Sequence, residues 1–312
     1  MSSDTATATV IGIGQAIADK IGTIEGEFPS SSEYWNLLKS KLANDELPDI
    51  FGCGFGEQIA QWSDYLADLS DMDIVKELTP DQVAACSLDG KTVQVFPIYV
   101  EGWGILYNMR LLKEAGWEKT PETRAELEQL CKDLTAKGIR PFELHYAETS
   151  LSLTNHLGST WVTNKANPLE YFAELKTGKD MDLANDPDLN DMLDYYDLVL
   201  QYSNENYIAT DKWTGRNNFF LEQAAMVDDE GSWEIPNILN VNPPLAEYVV
   251  QGLVPISNDA AKNRLQTATI NAAISKNSAN LEEAKKFLSW LCTSDTAQKW
   301  HQEKMGNIPA LN

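Results

Sequence analysis

Residues 97–108 read Pro97-Ile98-Tyr99-Val100-Glu101-Gly102-Trp103-Gly104-Ile105-Leu106-Tyr107-Asn108. With Val93 upstream they form two β-rich runs, Val93 to Val100 and Gly104 to Tyr107, interrupted by Glu101, Gly102 and Trp103. Such a break suits a strand that leaves one lobe and enters another. On either side, short strand-like runs alternate with longer segments of helical period, which is the pattern of an α/β architecture.

Upstream, Tyr34, Leu37, Leu38, Lys41 and Leu42 follow helical spacing, with Ser30, Ser31 and Ser32 as capping candidates and Pro48 beyond the end. A strand at Asp49-Ile50-Phe51 is predicted to follow. Nearer the start, Thr5 to Ile13 alternates like a strand. Gly12 and Gly14 suggest a nucleotide-binding turn, but Ile17 occupies the place of its third glycine, so the fingerprint fails. Downstream, Thr120 as N-cap, Pro121 in the first turn, an apolar stripe of Leu127, Leu130, Cys131 and Leu134, and Gly138 as stop predict a helix. Ala224 to Val227 and Thr267 to Ile274 read as short buried strands. Asn280 with Glu283 gives a capping-box start to a helix burying Ala284, Phe287, Leu288 and Leu291.

At 312 residues the chain is long enough for two lobes with cores of their own. Its 24 Lys and Arg against 47 Asp and Glu give a net charge of −23, a field that repels nucleic acid and anionic membrane surfaces. No stretch approaches the roughly 18 consecutive apolar residues of a membrane span, and Met1-Ser2-Ser3-Asp4 has neither a basic start nor an apolar run. Cys53, Cys86, Cys131 and Cys292 are scattered, without CxxC or metal-ligand spacing, and read as free, buried thiols. The three histidines, His145, His156 and His301, form no recognisable triad, and GxSxG, HExxH and phosphate-loop motifs are absent. No cofactor or metal is expected.

Several of these segments, in order along most of the chain, resemble the family 1 extracellular solute-binding proteins, the group that includes maltodextrin-binding proteins. Leu47-Pro48-Asp49-Ile50-Phe51 is similar to the family's entry to an early strand. Residues 97–108, continued by Leu111, Leu112, Ala115 and Gly116, resemble its lobe-crossing segment, the most specific block. Thr120 to Thr123 with the helix after it, and Gly138-Ile139-Arg140-Pro141-Phe142, fit the next. Ala224-Ala225-Met226-Val227 followed by Gly231-Ser232-Trp233 resembles the family's "AM…GxW" signature, and Gly306-Asn307-Ile308-Pro309-Ala310 its C-terminal third. Two departures stand out. The helix after Gly14 is shortened, which puts contacts near Gln15 in question, and the chain stops soon after Ala310, so C-terminal contacts are expected to be missing.

The resemblance implies a two-lobed periplasmic-binding-protein-like fold of type II, with an N-terminal lobe of 1–103 plus 254–293 and a C-terminal lobe of 104–253 plus 294–312. Crossings are expected near Tyr99 to Asn108 and Gly252 to Ser257, with the ligand in the cleft between lobes that close by hinge motion. It further implies a non-enzymatic, monomeric, extracytoplasmic component of an ABC importer, at the cell surface as a lipoprotein or in the periplasm. Its partners would be a carbohydrate and the transmembrane permease subunits, and its signal segment is expected to be absent from this chain.

A sugar presents apolar ring faces rimmed by hydroxyls, so its site needs flat aromatic surfaces and planar hydrogen-bonding groups. The sequence has 9 Trp and 11 Tyr, several beside acids: Glu101 with Trp103, Glu230 with Trp233, Asp211 with Trp213. The expected ligand contacts are Trp233, Glu101, Trp103, Phe55, Glu57, His145, Glu148, Asn155, Trp161 and Asn271. Each has a plainer reading: Trp233 as a core tryptophan, Glu101 as a solvated hinge carboxylate, Asn271 as a sheet-end amide. Two rival functions follow from the acids. A glycoside hydrolase could use Asp228, Asp229 or Glu230, but among 47 acids adjacent carboxylates arise by chance, and hydrolysis needs two at a defined separation. A polyamine or metal-complex binder would suit the charge, which is however spread along the chain.

Overall fold

The computed structural model describes residues 24–26, 33–148, 160–178 and 181–311. The strands are β1 (Ile50–Gly52), β2 (Phe96–Asn108), β3 (Phe142–Glu143), β4 (Met226–Gly231), β5 (Val249–Gly252), β6 (Gln266–Ile274) and β7 (Ile308–Pro309), set among helices in a mixed α/β order. The chain divides into two compact units: unit 1 is Met1–Glu101 with Thr269–Asn312, and unit 2 is Gly102–Ala268. Both passages between units lie inside strands, β2 and β6. The expected break is absent: β2 runs through Glu101-Gly102-Trp103 without a turn, while the expected crossing between units does fall there, at Glu101/Gly102. Gly104, just beyond, serves close packing, since a Cβ on it would stand 2.4 Å from the Gly252 carbonyl oxygen.

The division differs from the expected lobes at two segments. Residues 254–268 lie in unit 2, where Val254 and Ile256 are fully buried in its core and Asn263 Nδ2 donates to the Glu122 and Ser257 carbonyls at 2.9 and 2.7 Å. The second passage therefore falls at Ala268/Thr269 rather than at Gly252 to Ser257. Residues 294–312 lie in unit 1, since β7 pairs with Tyr99 and Val100 and Leu311 joins that core.

In unit 1, β1 pairs antiparallel with the end of β6 in the register Ile50↔Ile274, Phe51↔Ala273, Gly52↔Ala272. Helix Tyr34–Ala43 buries Leu38 and lays Tyr34, Trp35 and Leu42 on the same core, as its spacing predicts. Its N-cap is Glu33, with no side-chain cap, while Ser30, Ser31 and Ser32 lie outside the described residues, as does the segment Thr5 to Ile13. Helix Leu281–Thr293 buries Ala284, Leu288 and Cys292. Its expected capping box does not form, because the Asn280 side chain is turned to Asp49 (Nδ2 to Oδ2, 3.2 Å). Phe287 and Leu291 are half-buried, with Phe287 stacked on Trp290 at 6.1 Å.

In unit 2, the second half of β2 is flanked by β4 and β5, both antiparallel to it, and β3 runs parallel to β4. Helix Arg124–Ala136 buries Leu127, Leu130, Cys131 and Leu134, the whole predicted stripe. Its cap is Thr123, whose Oγ1 accepts from Glu126 N–H at 3.3 Å, rather than Thr120; Glu122 N–H is already taken by the Glu126 carboxylate. Gly138 stops the helix in the left-handed region at φ +75°. The stripe meets Tyr107, Phe142, Met192, Tyr195, Val199 and Met226 in one core. All four cysteines are buried and unpaired. Among the described residues no helix is long and apolar enough to cross a membrane.

Candidate functional site

Strand β4 carries Asp228, Asp229, Glu230 and Gly231, all buried, which is unusual for such a run of acids and requires partners. The three acids have separate surroundings. Asp228 turns toward the core, where Tyr195 OH donates to it at 2.7 Å. Asp229 sits at φ +59°, off the regular ladder, where β2 and β4 slip register between Gly104 and Leu106. Glu230 faces helix Lys212–Phe220, from which Arg216 reaches it with two nitrogens, Nε to Oε1 and Nη2 to Oε2, the latter at 2.7 Å.

Around that ion pair three further groups assemble. Trp233 Nε1 donates to Glu230 Oε2 at 2.9 Å, which fixes a half-buried indole by its edge. Glu234 Oε1 lies 2.9 Å from Arg216 Nη1, and His145 Nε2 lies 3.0 Å from Glu230 Oε1, with neither aligned for a hydrogen bond. Arg216 and His145 side chains are each 6% exposed, and those of Glu230 and Glu234 not at all. The sequence shows why helix and loop meet so closely: a Cβ on Gly215 would stand 2.7 Å from His145 Cβ.

The two carboxyls titrate in opposite directions. Burial raises the pKa of Glu230, but the His145 ring and the Arg216 guanidinium outweigh it and hold the group down at about 2. Burial, and then the Glu230 charge, push Glu234 up to about 7. Linkage gives the sign. The stability that Glu234 contributes as a neutral acid is complete below its ordinary 4.5 and is lost as pH rises through about 7. Urea unfolding should therefore show the native state losing on the order of 2 kcal/mol between pH 4.5 and 7.5, a loss that Glu234→Gln removes. An unchanged pH slope in the variant would assign the titration to another group.

The other residues named from the sequence are placed as follows. In unit 2, Trp103 is buried and its backbone stands opposite Gly231. Trp161 belongs to a separate network: its Nε1 donates to Asp186 at 3.1 Å, and its ring meets Tyr171 edge-on at 5.7 Å, while Lys165 pairs with both Asp186 and Asp188. Glu148 ends the turn Tyr146–Glu148, but its side chain, and Asn155 entirely, lie outside the described residues. In unit 1, Phe55 packs half-buried on the core and Glu57 opens helix Glu57–Trp62 from an exposed position. Glu101 is half-buried, and burial raises its pKa. Asn271 is buried, with Nδ2 donating to the Thr269 carbonyl at 3.3 Å and its backbone carbonyl accepting from Cys53 N–H at 3.2 Å. Of the ten, the structure thus gathers Trp233 and His145 on one cluster. Arg216 and Glu234, equal members of it, went unread in the sequence; Gly215 inside a helix was the available signal. Among the described residues no group of His, Cys, Asp and Glu is arranged to hold a metal ion.

A family model described as bacterial extracellular solute-binding protein matches residues 20–312. The "Multiple sugar-binding protein" of Streptococcus mutans serotype c is 22% identical over 274 residues, covering 85% of this chain and 63% of that protein. The chain thus spans less than two thirds of that relative's length. Among solved structures, the solute-binding protein RafE in complex with raffinose superposes with a TM-score of 0.80 at 21% identity, covering 100% of this chain and 81% of that one. A sugar transporter from Bacillus licheniformis in complex with stachyose gives 0.74 at 22% identity, covering 100% and 80%. These likenesses establish the two-lobed fold.

Proposed function

Because the chain belongs to the bacterial extracellular solute-binding proteins, we propose that it is the extracytoplasmic substrate-binding component of an ABC importer and that its solute is a mono- or oligosaccharide. The observation that carries this reading is the unit 2 cluster. There a half-buried indole is pinned by its N–H to a buried carboxylate, and His145 Nε2 and Glu234 Oε1 are buried with no aligned hydrogen-bond partner among the described residues. An apolar face bordered by fixed polar atoms is what a pyranose requires. The sugars named for the relatives above support the choice of solute.

The reaction is binding and release, with no chemical step. Glycoside hydrolysis needs one carboxyl to donate a proton and another free to attack or activate water. Here Glu230 is bound by Arg216 and by Trp233, and Glu234 shares the same guanidinium. A buried cation beside both acids also argues against a polycation as solute. The candidates carried by unit 1, Phe55, Glu57, Glu101 and Asn271, are retained as proposed contacts, as are Trp103, Glu148, Asn155 and Trp161. The permease subunits and a lipid-anchored or periplasmic home are proposed on family grounds alone.

A ligand that binds only the native state raises the melting temperature by mass action. Thermal unfolding against mono- and oligosaccharides, polyamines and metal ions is expected to shift with one sugar class, with no product after long incubation. A shift with polyamines or metals alone would overturn the reading. Trp233→Ala should weaken the responsive sugar at least tenfold, about 1.4 kcal/mol, with unchanged circular dichroism. Undiminished affinity would make Trp233 a packing residue.

A further inference from the structure

Two wholly enclosed carboxyl groups, Glu230 on β4 and Glu234 at the end of the turn Ser232–Glu234, share one guanidinium, that of Arg216. Their holds on it are unequal. Glu230 takes Nε and Nη2 as a bidentate pair, and its Oε2 accepts from Trp233 Nε1 at 2.9 Å, so the indole is fixed through the same carboxylate. Glu234 has Nη1 alone, 2.9 Å from Oε1 and not aligned for a hydrogen bond, while Asn237 Nδ2 donates to Oε2 at 3.0 Å. The groups that face Glu234 are Glu230 from β4, Arg216 and Lys212 from helix Lys212–Phe220, and Asn237 from helix Ile235–Val241, which brings no charge of its own. His145 faces Glu230, at 3.0 Å from Oε1. One permanent cation cannot neutralise two buried anions, and His145 adds a second cation only where it is itself protonated. A proton on Glu234 removes the excess charge, and Oε1, which accepts no hydrogen bond among the described residues, has room for it.

We propose that Glu234 is a positioning residue for Trp233, its proton leaving Arg216 wholly to Glu230, and that solute binding at this site is coupled to proton uptake from solvent. The inference rests on the reading of Trp233 as a sugar contact. With Glu234 neutral, the guanidinium stays on Glu230 and the indole keeps its acceptor. With Glu234 ionised, the excess charge is relieved by the guanidinium turning toward Glu234 or by water entering, and either loosens the hold of Glu230 on the indole. A solute that settles on the fixed indole therefore favours the protonated cluster, and by reciprocity the proton favours the solute. Burial, and then the Glu230 charge, push Glu234 up to about 7, so affinity is full in mild acid and falls as pH rises through that value.

The test is calorimetric titration of the parent, Glu234→Gln and His145→Gln with the sugar that shifts the parent's melting, each variant first checked by urea unfolding. Titrations at pH 5.5, 7 and 8.5 give the affinity profile, and buffers of different ionisation enthalpy at pH 7 count the protons taken up. The parent is expected to bind about tenfold more weakly at pH 8.5 than at pH 5.5 and to take up a fraction of a proton at pH 7. Glu234→Gln should show neither, holding at pH 8.5 the affinity it has at pH 5.5. A flat parent profile overturns the inference, as does a slope that survives in Glu234→Gln, and loss of that surviving slope in His145→Gln would assign the proton to the imidazole. Tryptophan fluorescence of the free protein tests the coupling without any solute. Emission should change over the same pH range in the parent and not in Trp233→Phe or Glu234→Gln. Emission indifferent to pH overturns the coupling whatever the solute, whereas the expected change in a protein that binds no carbohydrate means that the reading of the solute has failed.

Discussion

Arg216→Met is expected to lower the unfolding free energy by about 3–5 kcal/mol, the usual consequence of removing one partner of a buried charge pair. The size follows from burial: the arginine side chain is 6% exposed and both carboxylates it serves are wholly enclosed. Methionine fills similar volume, so little of the loss comes from a cavity. What remains is a buried Glu230 without its cation, which must take up a proton or break out toward water, and with it goes the acceptor that pins the Trp233 N–H. Urea unfolding followed by tryptophan fluorescence measures the loss. Adding Glu230→Gln and Glu234→Gln should recover much of it, because no uncompensated charge is then left inside. A single variant within 1 kcal/mol of the parent, or a triple no better than the single, would show that the pair is neither as dry nor as coupled as its geometry indicates.

The same cluster shows where reading the sequence succeeds and where it stops. The stripe Leu127, Leu130, Cys131, Leu134 was legible because helical period is a local property: four apolar residues on one face can hardly do anything but pack. Its cap was misplaced by three residues, since Thr120 and Thr123 differ only in which backbone N–H their hydroxyl reaches. The Arg216–Glu230 pair was not legible at all. An arginine on a polar helix ordinarily points to water, and only the fold brings it against a strand residue fourteen positions on. Trp233 is legible through the GxW signature that Gly231-Ser232-Trp233 resembles, yet what holds it depends on that arginine. At Glu101-Gly102-Trp103 the passage between units is legible, but the break in the strand is not there. Glycine in a strand signals either a bend or a close approach, and the sequence cannot say which.

That last distinction has a measurable consequence. Gly104→Ala and Gly231→Ala are each expected to destabilise the protein by about 3 kcal/mol or more, at the upper end for overpacking. A Cβ on Gly104 would stand 2.4 Å from the Gly252 carbonyl oxygen, and one on Gly231 would stand 2.4 Å from that of Gly102. Neither glycine has positive φ, so the obstacle is space alone, and the atom in the way is backbone locked in a sheet. Gly54 provides the contrast. Its added Cβ would meet only the Gln58 carboxamide, at 2.7 Å, the far end of a flexible side chain that can swing aside, so Gly54→Ala should cost less than about 1 kcal/mol. The two severe variants should also differ from one another. At Gly231 the new methyl would press on the Trp233 ring as well, at 2.5 Å, so any fraction that still folds should bind the responsive sugar as poorly as Trp233→Ala does. At Gly104 no aromatic ring is displaced, and the folded fraction should keep its affinity. Urea midpoints with calorimetric titration of each variant separate these effects. Equal affinity in both would mean that the indole's position is not what binds, and loss at Gly54 matching that at Gly104 would mean that backbone crowding does not govern the cost.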